Sequence, residues 1–458
     1  MLKNLSFQTI FCLLLLFCLP IAGFSQSTEA TITGRITDSD GALNGTTITV
    51  RNESTGFSQK TVTNQNGIFT FQQLPLGGPY TVTANHLGYH EQKQTDYKLN
   101  YGDEITVNME LTNESNNIDE VVIQGQGLQN KIRSLGSSTA ITANELKKMP
   151  VNGRNFSSLI DLSPISTGSN LAGQRASSTN FTVDGMNSRS TVAGGNSGGA
   201  YSISMEAIRE FKVVTNDYDV TYGRSGGGSV TTVTKSGTNT LTGSAFTFGR
   251  TDWLSSQYNL NGTPRQQEFS TYQYGFSLGG PIIKDKAHFF VAWDHQTDTR
   301  PLYIADIQNA EDIARYKVTQ ETLDKFSAIA EQKYGTDPSQ LFGAFDKKKI
   351  TDAAFARIDW QLNDKNLLTI RNNFVYDKDN QQEGDNSNIN AYESHMNRKY
   401  INNSLMASLR TSISPRLTND FKVQHFYESS DALHNVKGIG QDQSIPRAIV
   451  EKVTSTDG

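Results

Sequence analysis

The stretch from residue 236 onward constrains the fold most, because it repeats segments of about ten residues in which apolar and polar side chains strictly alternate. In Ala354 to Leu362, Phe355, Arg357, Asp359 and Gln361 interleave with Ala356, Ile358, Trp360 and Leu362. In Ser404 to Ile413, Leu405, Ala407, Leu409 and Ile413 oppose Ser404, Ser408, Arg410 and Ser412. Segments 241–250, 270–280, 286–297, 366–377 and 417–429 behave alike. Successive side chains of a strand point to opposite faces, so each segment has one wet and one greasy side. With Tyr, Phe and Trp near the segment ends, the pattern predicts staves of a transmembrane β-barrel with its apolar side toward lipid. The connections alternate too: short turns at Lys284-Asp285, Asn363-Asp364 and Ser414-Pro415 contrast with long polar excursions at 251–268, 298–351 and 378–398. The longest contains a predicted helix, Thr319 to Lys333, and is expected to face outward. A second soluble sandwich is the rival reading, but sandwiches rarely combine such long strands with such unequal loops.

Residues 1–25 read as a secretory signal: Lys3 is the lone charge, an apolar run spans Ile10 to Ala22, and Gly23-Phe24-Ser25 is a small-x-small end. Phe11 before Cys12 and Phe17 before Cys18 do not suit a lipobox, so cleavage near Ser25 is expected to leave Gln26 first. Both cysteines lie inside that segment, which leaves no thiol here for disulfides, metal or nucleophilic catalysis. No later run has the roughly 18 to 20 consecutive apolar residues of a membrane helix. The formal charge of -5, with Lys and Arg scattered, speaks against a nucleic-acid partner.

Residues 28–112 predict one small β-sandwich, with strands TITGRITD, TTITVRN, QKTVT, GIFTFQQL, YTVTANHLGY and ITVNMEL separated by Asp40-Gly41, Asn66-Gly67 and Gly77-Gly78-Pro79. A polar linker, 113–127, carries the β-branched run Ile118 to Ile123, readable as a strand seeking an edge to join or as a buried strand of the next domain. Residues 128–235 turn α+β, with short helices predicted at Thr142 to Lys148 and Phe156 to Leu162 and loops at 166–178 and 193–200. Near the end of this region, SMEAIREF predicts a short helix running into the strand of Phe211 to Val214. The glycine cluster Tyr222-Gly223-Arg224-Ser225-Gly226-Gly227-Gly228 then leads to the β-branched strand Val230 to Thr234. The order Gly-x4-Gly-Lys-Ser/Thr of a phosphate-binding loop is missing.

Catalytic or metal chemistry finds little support. His86 and His90, with Glu91, sit around Leu87-Gly88-Tyr89 in a strand-and-turn context where a four-residue spacing does not bring side chains together. Asp184, Asp217 and Asp219 have no spacing suited to paired-acid hydrolysis and read as turn or surface carboxylates. No metal, cofactor or enzymatic activity is expected.

Several of these motifs occur together in one family: the chain resembles a TonB-dependent outer-membrane receptor of the Oar-like type with a carboxypeptidase-regulatory-like domain in front. The front module is carried by Gly34 to Asp38, Gly67-Ile68-Phe69 and Tyr80 to Ala84. Asp119-Glu120-Val121-Val122-Ile123 is similar to the family's TonB box, which favours the edge-seeking reading of that run. The plug is carried by Arg154-Asn155, Asp184-Gly185, Glu206, Ile208 and Glu210, and Tyr222-Gly223 with Gly227. Similarity to the glycan-importing SusC branch is weaker. The resemblance implies a mainly β chain: a sandwich, a plug at 128–235, and from 236 to 458 the first part of a 22-stranded barrel in the outer membrane. It implies a TonB-type coupling protein and outer-membrane lipid as partners, and energy-coupled uptake of a siderophore, cobalamin, oligosaccharide, peptide or protein. Arg154, Glu206 and Glu210 are expected to form buried plug-to-barrel ion pairs. The length after residue 236 is about half of what such a barrel needs, so an N-terminal fragment or truncated product is expected. The alternative function is a surface interaction protein or adhesin that uses the sandwich and the long loops, and that would survive deletion of 118–123.

Overall fold

The protein is described by a computed structural model over residues 30–113, 122–124, 128–130, 137–142, 166–167, 170–171, 173–190, 203–215, 228–258, 268–382, 389–392, 395–414 and 417–434, with Glu145 and Ile160 as isolated positions. The expected signal, the predicted helices Thr142 to Lys148 (but for Thr142 and Glu145) and Phe156 to Leu162 (but for Ile160), and the glycine cluster up to Gly227 lie outside the described residues.

The front domain contains β1 (Ala30–Asp38), β2 (Gly41–Ala42), β3 (Thr47–Asn52), β4 (Ser58–Val62), β5 (Ile68–Leu74), β6 (Gly77–Asn85), β7 (Gln92–Leu99), β8 (Glu104–Thr106) and β9 (Met109–Glu110). They form two sheets, β1 with β2, β5, β8 and β9, and β3 with β4, β6 and β7. Alternate residues point inward, and Ile32, Ile48, Phe71, Tyr80 and Leu99 close a dry core. Gly34 is required by proximity: a Cβ there would lie 1.8 Å from the Val107 carbonyl oxygen. Asp38 caps the β1–β2 turn by accepting the backbone N–H groups of Asp40 and Gly41, and the Tyr89 hydroxyl donates to it at 2.6 Å. That hydroxyl is the main reason its carboxyl is held below the usual range. His86 pairs with Thr46 through Nδ1 at 3.1 Å and stacks edge-on against Tyr89, a turn-holding role.

Two short strands follow, β10 (Val122–Gln124) and β11 (Leu128–Asn130), which join β7 and β8 of the front domain. The plug region comprises β12 (Ser137–Thr142), β13 (Ser166–Thr167), β14 (Asn170–Leu171), β15 (Thr179–Val183), β16 (Met186–Asn187), β17 (Ile208–Thr215) and β18 (Gly228–Thr234). Its main sheet runs β12-β17-β18-β15-β16, and every residue of the central β18 is buried. The predicted helix before β17 is a single 3-10 turn, Met205–Ala207, so Ile208 and Glu210 already belong to the strand. Gly228 starts β18 with an ordinary backbone; it is glycine because a Cβ would lie 2.8 Å from the Val214 carbonyl oxygen and 2.9 Å from Leu171.

The wall is a seven-stranded antiparallel sheet in sequence order: β19 (Thr242–Thr251), β20 (Ser270–Ile283), β21 (Ala287–Ile304), β22 (Gly343–Asn363), β23 (Asn366–Gln382), β24 (Met396–Ser414) and β25 (Leu417–His434). Its outer face carries Phe276, Ile358, Trp360, Ile370, Leu405, Leu409 and Phe421, all exposed, while Arg357, Arg371, Ser404, Ser408 and Arg410 turn inward. Most strands outrun the ten residues expected from alternation, and 298–304 and 343–351, predicted as loop, are strand. Hydropathy marks only the lipid band, whereas the ladder continues through opposed charges such as Asp298 across from Lys349 and Lys349 across from Asp379. The long excursion between β21 and β22 holds α1 (Ala310–Tyr316), capped by Asn309 with Asp312 in a capping box, and α2 (Gln320–Tyr334), which matches the helix expected over Thr319 to Lys333 and is capped by Thr319.

Candidate functional site

Two contacts decide what this architecture can do: the seat of the plug on the wall, and the mount of the front domain on the plug. The seat begins with a hairpin. Val183 pairs with Met186 across a two-residue turn, Asp184-Gly185, and both turn residues have positive φ, 50° and 76°. Asp-Gly suits such a turn because both residues tolerate that backbone better than most. The turn aims the Asp184 carboxylate at the wall. Its Oδ1 accepts the Thr234 backbone N–H and its Oδ2 accepts the Thr234 hydroxyl, each at 2.9 Å. Arg371 Nε lies 2.8 Å from Oδ2, and Arg371 Nη2 donates to the Val183 carbonyl at 2.8 Å. Arg357 Nη1 lies 3.9 Å from Oδ1, and Asp359 grips the Arg357 guanidinium with two bonds of 2.8 Å. Thr369 completes the set by donating to Asp359 at 2.7 Å. The Arg371 side chain is 1% exposed, so its charge is out of water and compensated by the plug.

Apolar contact surrounds this seat. Phe181, Ile208, Phe211 and Val230 of the plug share one core with Phe290, Ala292 and Phe355 of the wall. Glu206 is buried, accepts the Ser244 hydroxyl of β19 at 2.9 Å and stands 3.8 Å from Lys235, while Asp294 of β21 accepts the Met205 N–H. Glu206 was expected in a plug-to-barrel ion pair; its described contact with the wall is the Ser244 hydrogen bond, and its described cation, Lys235, belongs to the plug. Asp184, set aside as a turn carboxylate, makes the ionic contact. The turn reading was correct, and the partners on β22 and β23 lie too far along the chain for a sequence signal.

Glu210 turns toward the front domain: the Tyr101 backbone N–H donates to its Oε2 at 2.9 Å. Beside it, Arg209 Nη2 donates to the Leu99 carbonyl at 3.2 Å, and Lys212 Nζ lies 5.2 Å from the centre of the Tyr101 ring. Burial raises the Glu210 carboxyl above its ordinary range despite the Tyr101 N–H, and burial lowers the Arg209 guanidinium. The front domain also meets the short-turn end of the wall. Arg51 lies 3.6 Å from Asp285, Asn239 donates to the Ser54 carbonyl, Gln59 donates to Ser412, and Leu367 packs on the sandwich core. Plug, wall and front domain line a half-open cavity of about 100 Å³, bordered by Phe57, Leu76, Asp184, Arg209, Arg357 and Arg410.

Of the other residues singled out, Val122 and Ile123 lie in β10 on the front-domain sheet, while Asp119, Glu120, Val121, Arg154, Asn155, Tyr222, Gly223 and Gly227 lie outside the described residues.

Comparison with known proteins bears on this arrangement. Residues 31–112 match the carboxypeptidase regulatory-like domain, and residues 233–314 match an outer membrane beta barrel domain. Over 293 residues the chain is 28% identical to the TonB-dependent transporter Oar of Myxococcus xanthus, a match that covers 59% of this chain and 27% of that protein. Over that span the chain is similar to an Oar-type TonB-dependent transporter. It spans about a quarter of that relative's length. Among solved structures it is similar to the outer membrane transporter YddB of Escherichia coli, with 14% identity, 65% of this chain, 40% of that chain and a TM-score of 0.46. It is also similar to the siderophore receptor PirA of Pseudomonas aeruginosa, with 16% identity, 66% of this chain, 42% of that chain and a TM-score of 0.43. The match of residues 233–314 makes the wall an outer-membrane element, and the front domain sits at its short-turn end.

Proposed function

We propose that this chain is the front part of an energy-coupled outer-membrane transporter, with an export signal at 1–25, a front module at 28–112, a coupling segment at 113–127, a plug at 128–235 and the barrel from 236. Ligand binds the outer face of the plug and the long loops. A TonB-type partner then takes up Asp119 to Ile123 by strand addition and remodels the plug. The chemistry is binding and mechanical work, without covalent catalysis.

One observation carries this reading: the plug is seated on the wall through a buried, charge-paired carboxylate, Asp184 against Arg371 and Arg357. Apolar side chains of similar volume commonly fill such a place with equal or better stability, so a paired charge is poorly explained as glue. It fixes one register of plug against wall: Asp184 keeps Thr234 and Arg357 keeps Asp359 when the two are pulled apart, whereas Arg371 is held by Asp184 and the Val183 carbonyl of the plug.

The test uses the complete gene product. Val121→Pro and Val122→Pro each remove a backbone N–H from the coupling segment. We expect both to abolish binding of the periplasmic domain of a TonB-type protein and energised uptake across a panel of ferric siderophores, cobalamin and oligosaccharides, while surface binding of the same probes persists. Unchanged partner binding and uptake would overturn the proposal.

A further inference from the structure

The segment that resembles a TonB box is already paired within this chain. Val122, Ile123 and Gln124 lie in parallel register with Lys93, Gln94 and Thr95, which makes β10 the outermost strand of the sheet β10-β7-β6-β3-β4. Four residues on, β11 pairs antiparallel with β8 in the other sheet of the sandwich, Leu128 opposite Thr106 and Asn130 opposite Glu104. β10, in the coupling segment, and β11, just after it, thus each join one sheet of the front domain. An unpaired strand edge is a template for strand addition, and here the chain's own segment fills it.

The holding strands are tied to the plug by one connection. β7 ends at Leu99 and β8 begins at Glu104, and the residues between them include those that rest on β17. Leu99 is held through its carbonyl by Arg209, Tyr101 through its N–H by Glu210, and the Tyr101 ring by Lys212. Beyond β17, the same plug sheet leads through Thr232 and Thr234 to the Asp184 seat. β17 thus contacts the chain at the end of β7 and in the link to β8.

We propose that the front domain is the latch of the coupling segment: at rest the β7 edge holds Val122 to Gln124, and displacement of β17 works through the Leu99 to Tyr101 connection to free it for the partner. This rests on the reading of Asp119 to Ile123 as the partner-binding strand. The grip suits a latch. It is three residue pairs long, and Gln92 to Thr95 form the polar end of β7, ahead of the buried Tyr97 and Leu99.

The test places cysteine pairs at facing positions of the complete receptor, Lys93→Cys with Val122→Cys and, separately, Thr95→Cys with Gln124→Cys. Thr49→Cys with Lys60→Cys, a facing pair inside the sandwich, serves as control. Both native cysteines of this sequence lie in the expected signal, so they should not compete. On mild oxidation of unliganded receptor in membranes, we expect both latch pairs to cross-link. The oxidised receptor should fail to bind the purified periplasmic domain of a TonB-type protein, and reduction should restore binding. Adding Arg209→Ala and Glu210→Ala should lower the latch cross-link and leave the control pair unaffected. Absence of both latch cross-links beside an intact control, or undiminished partner binding by the oxidised form, overturns the latch. A cross-link insensitive to the β17 substitutions overturns its connection to the plug. Should the reduced receptor also fail to bind the partner domain, the transporter reading is what fails, because the cross-links report the pairing independently of it.

Discussion

The front sandwich and the wall are built from the same two-residue alternation, yet they turn opposite faces to the solvent. In β3 the apolar residues Ile48 and Val50 are fully buried. In β24 the apolar residues Leu405 and Leu409 are 44% and 36% exposed, while Ser404, Ser408 and Arg410 are buried against the inside. Alternation fixes that a strand has two unlike faces; the medium on each side decides which is satisfied. For the sandwich water lies outside and hydrocarbon within, and for the wall the reverse holds. The wall can therefore keep Arg371 inside because Asp184 meets it, whereas the sandwich interior has no comparable demand for charge.

The sharpest way to break this comparison is to remove one interior group from each region. Asp184→Asn strands the buried Arg371 charge and should cost about 3–5 kcal/mol of plug-to-wall stability. Phe71→Ala should cost the front domain a similar amount, about 3–5 kcal/mol, through lost packing and the cavity left behind. Thermal unfolding of the complete receptor in detergent, followed by hydrogen exchange of each region, checks both. An unaffected plug in Asp184→Asn would remove the seat from the argument.

A subtler probe uses two outward residues of similar exposure, Val62 of the sandwich at 51% and Leu405 of the wall at 44%. Val62→Arg should stay within about 0.5 kcal/mol, as surface changes in water do. Leu405→Arg should cost about 2–4 kcal/mol if it sits near the bilayer midplane. Denaturant titration of the receptor folded into lipid vesicles reads the difference, and equal effects would mean that both faces meet water.

The smallest expected effects concern pH. The folded-state carboxyl of Asp38 is lowered, so its bonds to Tyr89 and the turn stabilise the front domain above the unfolded value of about 3.9 and are lost as pH falls through the folded value. Tyr89→Phe should move the acid-unfolding midpoint of that domain upward. Glu210 is shifted the other way, so its contribution to docking is greatest below the ordinary carboxylate value and fades as pH rises through the raised one. Glu210→Gln should flatten that trend, as read by hydrogen exchange at Tyr101.

The parts legible in the sequence were those with strong local signals. Six sandwich strands, the alternating wall and the helix from about Thr319 follow from periodicity and turn residues. α1 escaped, although Asn309 followed by Asp312 was a readable start. β7 escaped for a different reason: in Gln92-Lys93-Gln94-Thr95-Asp96-Tyr97-Lys98-Leu99 only Tyr97 and Leu99 are apolar, and Asp96 takes a positive φ that interrupts the pattern. A strand that contributes mainly backbone leaves little trace in side-chain chemistry, and this one pairs with β10. The Asp184 seat was half legible, since Asp-Gly announces a tight turn, but its arginine partners come from strands more than 170 residues away.

Ile304 and Gly343 face each other as the last rung of β21 and β22, and both helices of the long excursion hang between them. Because that rung closes the ladder, whatever is spliced between its two ends leaves the pairing of the staves unchanged. The excursion can thus diversify, by insertion or exchange of whole pieces, under selection quite separate from that acting on the lipid-embedded frame.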